Sequence, residues 1–380
     1  MKIIIAPDAF KGSLTAEEAA EAIRTGVKKV LPQAETVCLP VADGGEGTLS
    51  ALITATEGVY KTVPVRDPLG RLIEAQLGIL GDGETAVVEL AQASGLMLLE
   101  PDELNPMKAS TFGTGELIRN ALDAGYRKLI IGLGGSATND GGAGLLEALG
   151  VRFFDVQGEL LQMDGSALSR IDKVDVSQLD QRLATTDIRI ASDVENPFVG
   201  ENGASYIFGP QKGADAKAVT LLDEGLRHFA DKTAELTGMC LHDLKGAGAA
   251  GGSAGALLAY CGARLESGIE VVLGAIEFAK HIQSADFIVT GEGKTDRQTL
   301  DGKALLGVAK SAKAFGVPVF VISGAIEESA CGELSEWFSG LHALDDGSKT
   351  LGELMANASG LLCQETVHLM SKIKNSELLL

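Results

Sequence analysis

Residues 2–18 read KIIIAPDAFKGSLTAEE, and this stretch sets the fold class. Ile3, Ile4 and Ile5 form an unbroken β-branched run, the pattern of a strand covered on both faces. Thr15 and Glu18 stand at capping-box spacing, and Ala19, Ala20, Ile23, Val27 and Val30 then recur at helical intervals. The next strand is ETVCLP (35–40) and the next helix TLSALITAT (48–56). Strand, helix, strand, helix predicts a parallel sheet with helices on its faces. The connecting turns then fall at the carboxyl ends of parallel strands, where open α/β sheets bind ligands.

The rhythm changes near residue 59. The stretch from Tyr60 to Leu80 predicts a hairpin turning at Asp67-Pro-Leu-Gly70, and a further strand follows the turn at Gly81-Asp-Gly83. Strands are expected at KLIIGL (128–133), RFFD (152–155) and DIRIASDV (187–194), with helices near 215–237 and 267–281. Residues 246–263 carry no charge, but thirteen of the eighteen are Gly or Ala, too weakly apolar for a membrane span and read here as a loop and a closely packed helix. Parallel α/β rhythm resumes with strands at 286–291, 317–324 and 340–344 and helices at 303–316 and 350–374. The expected organisation is one α/β domain from residues 1–58 and 281–380, with a mixed α/β domain, 59–280, inserted into it and facing it across a cleft.

Composition narrows the function. The chain has 380 residues and a formal net charge of −20, so nucleic acid and anionic membranes are disfavoured partners. Aromatics at 4% disfavour stacking surfaces. Five cysteines with no CxxC pair suggest free thiols in a reducing cytosol. No GxSxG, HExxH or zinc pattern occurs, and the five histidines lie outside the glycine loops. The remaining site inventory of Asp, Glu, Lys, Gly, Ser and Thr suits phosphoryl transfer.

Glycine loops supply the candidate site. GKT at 293–295 lacks the upstream glycine of a Walker loop, because residue 288 is Ile. GAGAAG (246–251) follows a poor strand and reads as a tight turn. KLIIGLGGSA, then a short helix, then RFFD ending at Asp155, has the order of a Rossmann unit, and an NAD-dependent hydroxy-acid oxidoreductase using residues 128–155 is the rival it raises. Against it, Thr138-Asn-Asp-Gly-Gly142 is a turn former where a helix should begin. The alternative for this loop is a metal–polyphosphate cradle: Gly134, Gly135, Ser136 and Thr138 offer donors, and Asp140 beside them makes sense if Mg²⁺ bridges it to a phosphate such as the tail of ATP. Asp140 as a plain turn cap stays open. Asp8 and Lys11 follow the first strand, Asp43 and Glu46 the second, Asp193 the strand at 187–194, and Lys294 and Asp296 the strand at 286–291; Lys212 sits in a glycine-flanked turn.

Together APDAFKGSLTA (6–16), VADGGEGT (41–48), GTGELI (113–118), IGLGGSATNDGGAG (131–144), SDVENP (192–197), GASYIFGPQKGA (203–214), GAGAAGG (246–252) and TGEGKTD (290–296) resemble the bacterial two-domain glycerate kinases over essentially the whole chain. The resemblance implies a flavodoxin- or Rossmann-like domain with an inserted second domain, and ATP-dependent phosphorylation of D-glycerate, with 2-phosphoglycerate the favoured product. The roles that follow are assigned on chemistry. Lys11 takes the substrate carboxylate or the γ-phosphate. Asp8, Asp43 and Glu46 orient hydroxyls or Mg²⁺. Asp193 is the first choice of base and Asp296 the second. Gly134, Gly135, Ser136 and Thr138 cradle phosphates, Lys212 and Lys294 neutralise transferred charge, and Asp140 and Asp43 are the metal candidates. A non-catalytic nucleotide-binding protein is the remaining alternative.

Overall fold

The structure, a computed structural model, describes residues 1–300, 304–345 and 347–375. It divides into two compact units. The first comprises Met1–Asp43, Ser50–Glu57 and the described residues from Ile269 on; the second comprises Gly44–Leu49 and Gly58–Gly268.

The first unit is built on five parallel strands in the spatial order Gly340–Ala343, Val319–Ser323, Phe287–Thr290, Lys2–Ile5 and Glu35–Cys38. Numbered along the chain this is 2-1-3-4-5, the flavodoxin-like order. Ile3 pairs in register with Phe287, and Ile5 lies between Val289 and Cys38. The Ile3–Ile5 run is fully buried, with Phe287 and Phe320 edge-on beside it at 5.7 Å between ring centroids. The helix Ala16–Val30 starts on the capping box: Thr15 Oγ1 accepts from Glu18 N–H at 3.1 Å, and Glu18 returns the bond to Thr15 N–H at 2.9 Å. It packs on the helix Ala358–Lys374 at Gly26, where a Cβ would stand 2.6 Å from Thr366 Cβ.

The second unit holds a six-stranded sheet ordered Arg264–Glu266, Asp187–Ala191, Lys128–Gly132, Thr85–Glu89, Leu72–Ile79 and Val59–Arg66. The first four strands are parallel and the hairpin is antiparallel. Asp67 closes the hairpin turn by accepting from Leu69 N–H and Arg71 N–H at 2.9 and 2.8 Å. The fold is thus mixed α/β, as its periodicities predict.

Three local expectations are corrected. The strand Arg152–Phe154 does not join the main sheet beside Lys128–Gly132; it pairs antiparallel with Lys173–Asp175 in a separate ribbon. A Rossmann unit requires that strand to run parallel beside the first, so the NAD-binding reading of 128–155 loses its structural basis. The helical stretch at 267–281 is two helices, Gly268–Ala275 and Phe278–Ile282, broken where Glu277 takes φ +50°. The C-terminal helical stretch is likewise split, at Asn357, into Leu351–Ala356 and Ala358–Lys374. Lys303, the first residue of the helix expected at 303–316, lies outside the described residues; the helix runs Ala304–Lys313.

Beneath the glycine loop at 132–144, the helices Phe112–Asp123 and Ala143–Ala148 touch through Gly115, whose Cβ would meet Leu145 O at 2.4 Å and Ala148 Cβ at 2.7 Å. In an open helix Gly→Ala gains about 0.5–1 kcal/mol. Here overpacking opposes it at about 1–3 kcal/mol. Gly115→Ala is therefore expected to destabilise the protein, read as a lower urea midpoint with unchanged m.

Candidate active site

The carboxyl ends of three parallel strands in the second unit form one rung: Glu89 is paired with Gly132, and Gly132 with Ala191. The glycine turn that starts at Gly44 lies directly on it. A Cβ on Gly44 would stand 2.4 Å from Ala191 O, one on Gly132 3.3 Å from Gly44 O, and one on Gly134 2.5 Å from Gly45 Cα. Only backbone fits. Gly44 and Gly47 also take φ of +88° and +90°, which L side chains rarely adopt. Glu46 projects from this turn with an exposed side chain, and Thr48 ends it as the first residue of the helix Thr48–Thr56, its hydroxyl donating to Gly45 O at 2.7 Å.

The 132–144 loop folds beside that rung. Gly135 is exposed, Ser136 is 7% exposed, and Thr138, Asn139 and Asp140 are fully buried. Asp140 turns inward. Its Oδ2 accepts from Thr111 N–H, Thr111 Oγ1–H and Gly144 N–H at 2.8, 2.7 and 3.2 Å, and its Oδ1 accepts from Gly142 N–H at 3.0 Å. Four donors occupy the carboxylate, so the expectation of Asp140 as a metal ligand gives way to a turn anchor, the other reading its sequence allowed. Burial nevertheless pushes its pKa upward against those four bonds.

Lys212 is also interior, 1% exposed, in the turn Pro210–Lys212. Its ammonium donates to Ser136 Oγ at 2.9 Å and to Thr138 O at 2.6 Å, fastening the loop from behind. Burial pulls it from 10.5 down to about 7, while the Asp140 charge holds it up. Thr138 Oγ1 and Asn139 Oδ1 are the two side-chain atoms among the described residues that are buried without a partner. The Thr138 hydroxyl therefore belongs to the loop interior, whereas Gly134, Gly135 and Ser136 lie nearer its surface.

Asp193 is exposed two residues past the strand Asp187–Ala191, and its Oδ1 accepts from Gly268 N–H at 2.9 Å. Glu46, Asp193 and the glycine loop thus stand along one sheet edge. Sequence reasoning missed Glu89 at that edge. It is 3% exposed and accepts from Gly47 N–H at 2.7 Å. Its signal was an acidic residue closing the apolar run VVELA.

In the first unit, a second group gathers where its parallel strands end. Asp8 follows the strand Lys2–Ile5 and donates its N–H to Gly291 O at 2.8 Å; its carboxylate accepts from Ala9 N–H at 2.6 Å. Lys11 is exposed, with its backbone N 3.3 Å from where a Gly293 Cβ would lie. Lys294 is paired with Asp296 at 3.1 Å and with Glu327 at 3.9 Å. Glu292 Oε1 accepts from Thr295 and Thr299 hydroxyls at 3.1 and 2.7 Å. Asp8, Lys11, Lys294 and Asp296 are thereby brought to one edge of this unit. Asp43, half-buried, is the last residue of the unit's first segment.

Among the described residues no group of three or more His, Cys, Asp or Glu side chains is placed to hold a metal ion. No helix among the described residues is long and apolar enough to cross a membrane, and all five cysteines are free.

In each unit acidic and glycine-rich turns stand at the carboxyl ends of parallel strands, the place where open α/β sheets bind ligands. Residues 3–374 match the glycerate kinase family. Glycerate kinase of Bacillus subtilis is 47% identical over 374 residues, covering 98% of each chain, and glycerate 2-kinase of Escherichia coli is 47% identical over 328 residues, covering 86% of each. A crystal structure from Salmonella typhimurium, carrying the provisional name glycerate kinase 2, superimposes with a TM-score of 0.89 at 43% identity over 99% of both chains. The chain belongs to the glycerate kinase family.

Asp140→Asn replaces an acceptor oxygen with an NH₂ facing backbone donors. A loss of about 2–3 kcal/mol in unfolding free energy is expected, read by urea titration. Lys212 makes a second prediction. Above about pH 7 the folded chain releases its proton, whereas the unfolded chain keeps it until near 10.5. The unfolded state then binds more protons, so stability rises with pH across that window. Lys212→Met is expected to flatten the rise, measured as Tm against pH.

Proposed function

We propose that this protein transfers the γ-phosphoryl group of ATP to D-glycerate, with 2-phosphoglycerate the favoured product. The observation that carries the reading is the match to the glycerate kinase family across residues 3–374. The glycine loop beside a carboxylate-bearing sheet edge supports a nucleotide as phosphoryl donor, and the name of the Escherichia coli relative supports the 2-position.

The roles divide by chemistry. Lys11, exposed and cationic, takes the glycerate carboxylate or the γ-phosphate. Asp8 and Glu46 orient hydroxyls. Asp193 removes the proton of the attacking hydroxyl as its oxygen bonds to phosphorus and the bond to the ADP oxygen breaks; Asp296 is the second choice of base. Gly134, Gly135 and Ser136 face phosphates, and Thr138 and Lys212 hold the loop that presents them. Lys294 supplies positive charge, with Asp296 and Glu327 as its resting partners. Mg²⁺ would neutralise phosphate charge, and Asp43 is the carboxylate assigned to it in place of Asp140. The domain assignment, 1–58 with 281–380 as one domain and 59–280 as the other, is kept as part of the proposal.

An ADP-release assay across glycerate, lactate, tartronate and hydroxypyruvate tests this, with the phosphorylated position read by NMR. Glycerate-dependent ADP release and a 2-phosphorylated product are expected. Nicotinamide reduction without ATP consumption, or nucleotide binding without turnover, would replace the reading with one of its rivals. Lys11→Ala and Asp193→Asn are each expected to lower turnover by about a hundredfold or more with the fold intact. Near-normal kinetics in Asp193→Asn would move the base to Asp296.

A further inference from the structure

Beneath the glycine turn lies a carboxyl group that the roles above do not use. Glu89 closes the strand Thr85–Glu89 and is buried under the turn. It accepts from Gly47 N–H at 2.7 Å, and the Thr48 N–H and Gln92 side chain add further hydrogen bonds. On its other side Gly44 lies against Ala191 and Gly45 against Gly134, and Gly45 O accepts from the Thr48 hydroxyl at 2.7 Å. Gly47 has open space around its Cβ position and φ of +90°, so packing does not fix it. Glycine on both sides of Glu46 leaves the backbone intrinsically loose. The tether from Glu89 to Gly47 holds the backbone immediately after Glu46.

We propose that Glu89 is a positioning residue for phosphoryl transfer: by holding Gly47 N–H it fixes the turn that presents Glu46 to the hydroxyls of the three-carbon acid. The proposal rests on the glycerate reading of Glu46.

Burial, the largest influence, raises Glu89 from 4.5 to about 7, and the facing charge of Glu46 pushes the same way. The donors at Gly47, Thr48 and Gln92 oppose both. A carboxylate accepts stronger hydrogen bonds than a neutral carboxyl. The turn is therefore held more firmly above about pH 7 than below it, and kcat/KM for glycerate is expected to rise through that point.

Glu89→Gln, Glu46→Gln and the double variant test this, alongside hydrogen exchange at the Gly47 amide. Glu89→Gln is isosteric and is expected to keep its Tm. It should lower kcat/KM for glycerate roughly tenfold to a hundredfold, leave KM for ATP unchanged, remove the inflection near neutrality and speed Gly47 exchange. The double variant should be no slower than Glu46→Gln alone, because Glu89 acts through Glu46. Additive losses, or an inflection that survives Glu89→Gln, would overturn the proposal. Wild-type enzyme inactive on glycerate would instead sink the reading of Glu46, while unchanged Gly47 exchange in Glu89→Gln would sink the tether alone.

Discussion

The second unit's site depends on backbone lying on backbone. The turn that begins at Gly44 rests on the rung formed by Glu89, Gly132 and Ala191, and a Cβ on Gly44 or Gly134 would come within 2.4 or 2.5 Å of main-chain atoms. Such an approach admits glycine alone, and glycine gives up more conformational entropy on folding than any other residue. Ties at each end offset that cost: Thr48 caps the turn onto a helix, and Glu89 takes the Gly47 N–H. Without them the same glycines would make a mobile strap. With them they make a platform one backbone thick, on which Glu46 is the projecting charge.

Closeness of this kind has an electrostatic consequence. Groups beneath or behind a thin backbone layer are shut off from water, so three ionisable side chains are driven toward their neutral forms. Glu89 and Asp140 shift upward and Lys212 downward, burial being the first cause in each. Asp140 shows which effect wins. Four hydrogen bonds to an ionised group, each worth about 1.5–3 kcal/mol, favour the carboxylate. Burial is nevertheless the largest influence on it, and the net direction of its pKa is upward. In a chain of net charge −20, two acids beside the glycine loop are thus shifted upward by burial.

What was legible in the sequence was whatever has a short period. The Ile3–Ile5 strand, the Thr15–Glu18 capping box, the helix Thr48–Thr56 and the hairpin turning at Asp67 were all readable from windows of ten residues or fewer. What failed depended on pairing over longer distances. RFFD was rightly a strand, but whether it lies beside Lys128–Gly132 or pairs with Lys173–Asp175 is decided by residues twenty positions further on. That one pairing separates a dinucleotide-binding unit from a different loop with the same glycine spacing. The break at Glu277 was hidden for another reason: the helical pattern continues through it, and only the backbone φ of +50° interrupts it.

Carboxylates posed the hardest reading, because residue type does not reveal which way a side chain turns. Asp140 among glycines suits a metal–phosphate site and suits a turn anchor equally well; the deciding fact is that Thr111, twenty-nine residues away, donates to it twice. Glu89 presented the reverse problem. Inside VVELA it looks like a polar residue tolerated at a strand end, and nothing local announces that a glycine turn forty-two residues earlier will lie over it. Both cases follow from one physical rule. A buried carboxyl group requires partners, and in this chain those partners are backbone N–H groups supplied by distant loops. Composition can list the acids, but long-range packing decides which face solvent and which are consumed in holding the loops. Glu46 and Asp193 are exposed, whereas Asp140 and Glu89 are enclosed. The first pair is therefore open to solvent, whereas the second pair acts on the backbone it restrains.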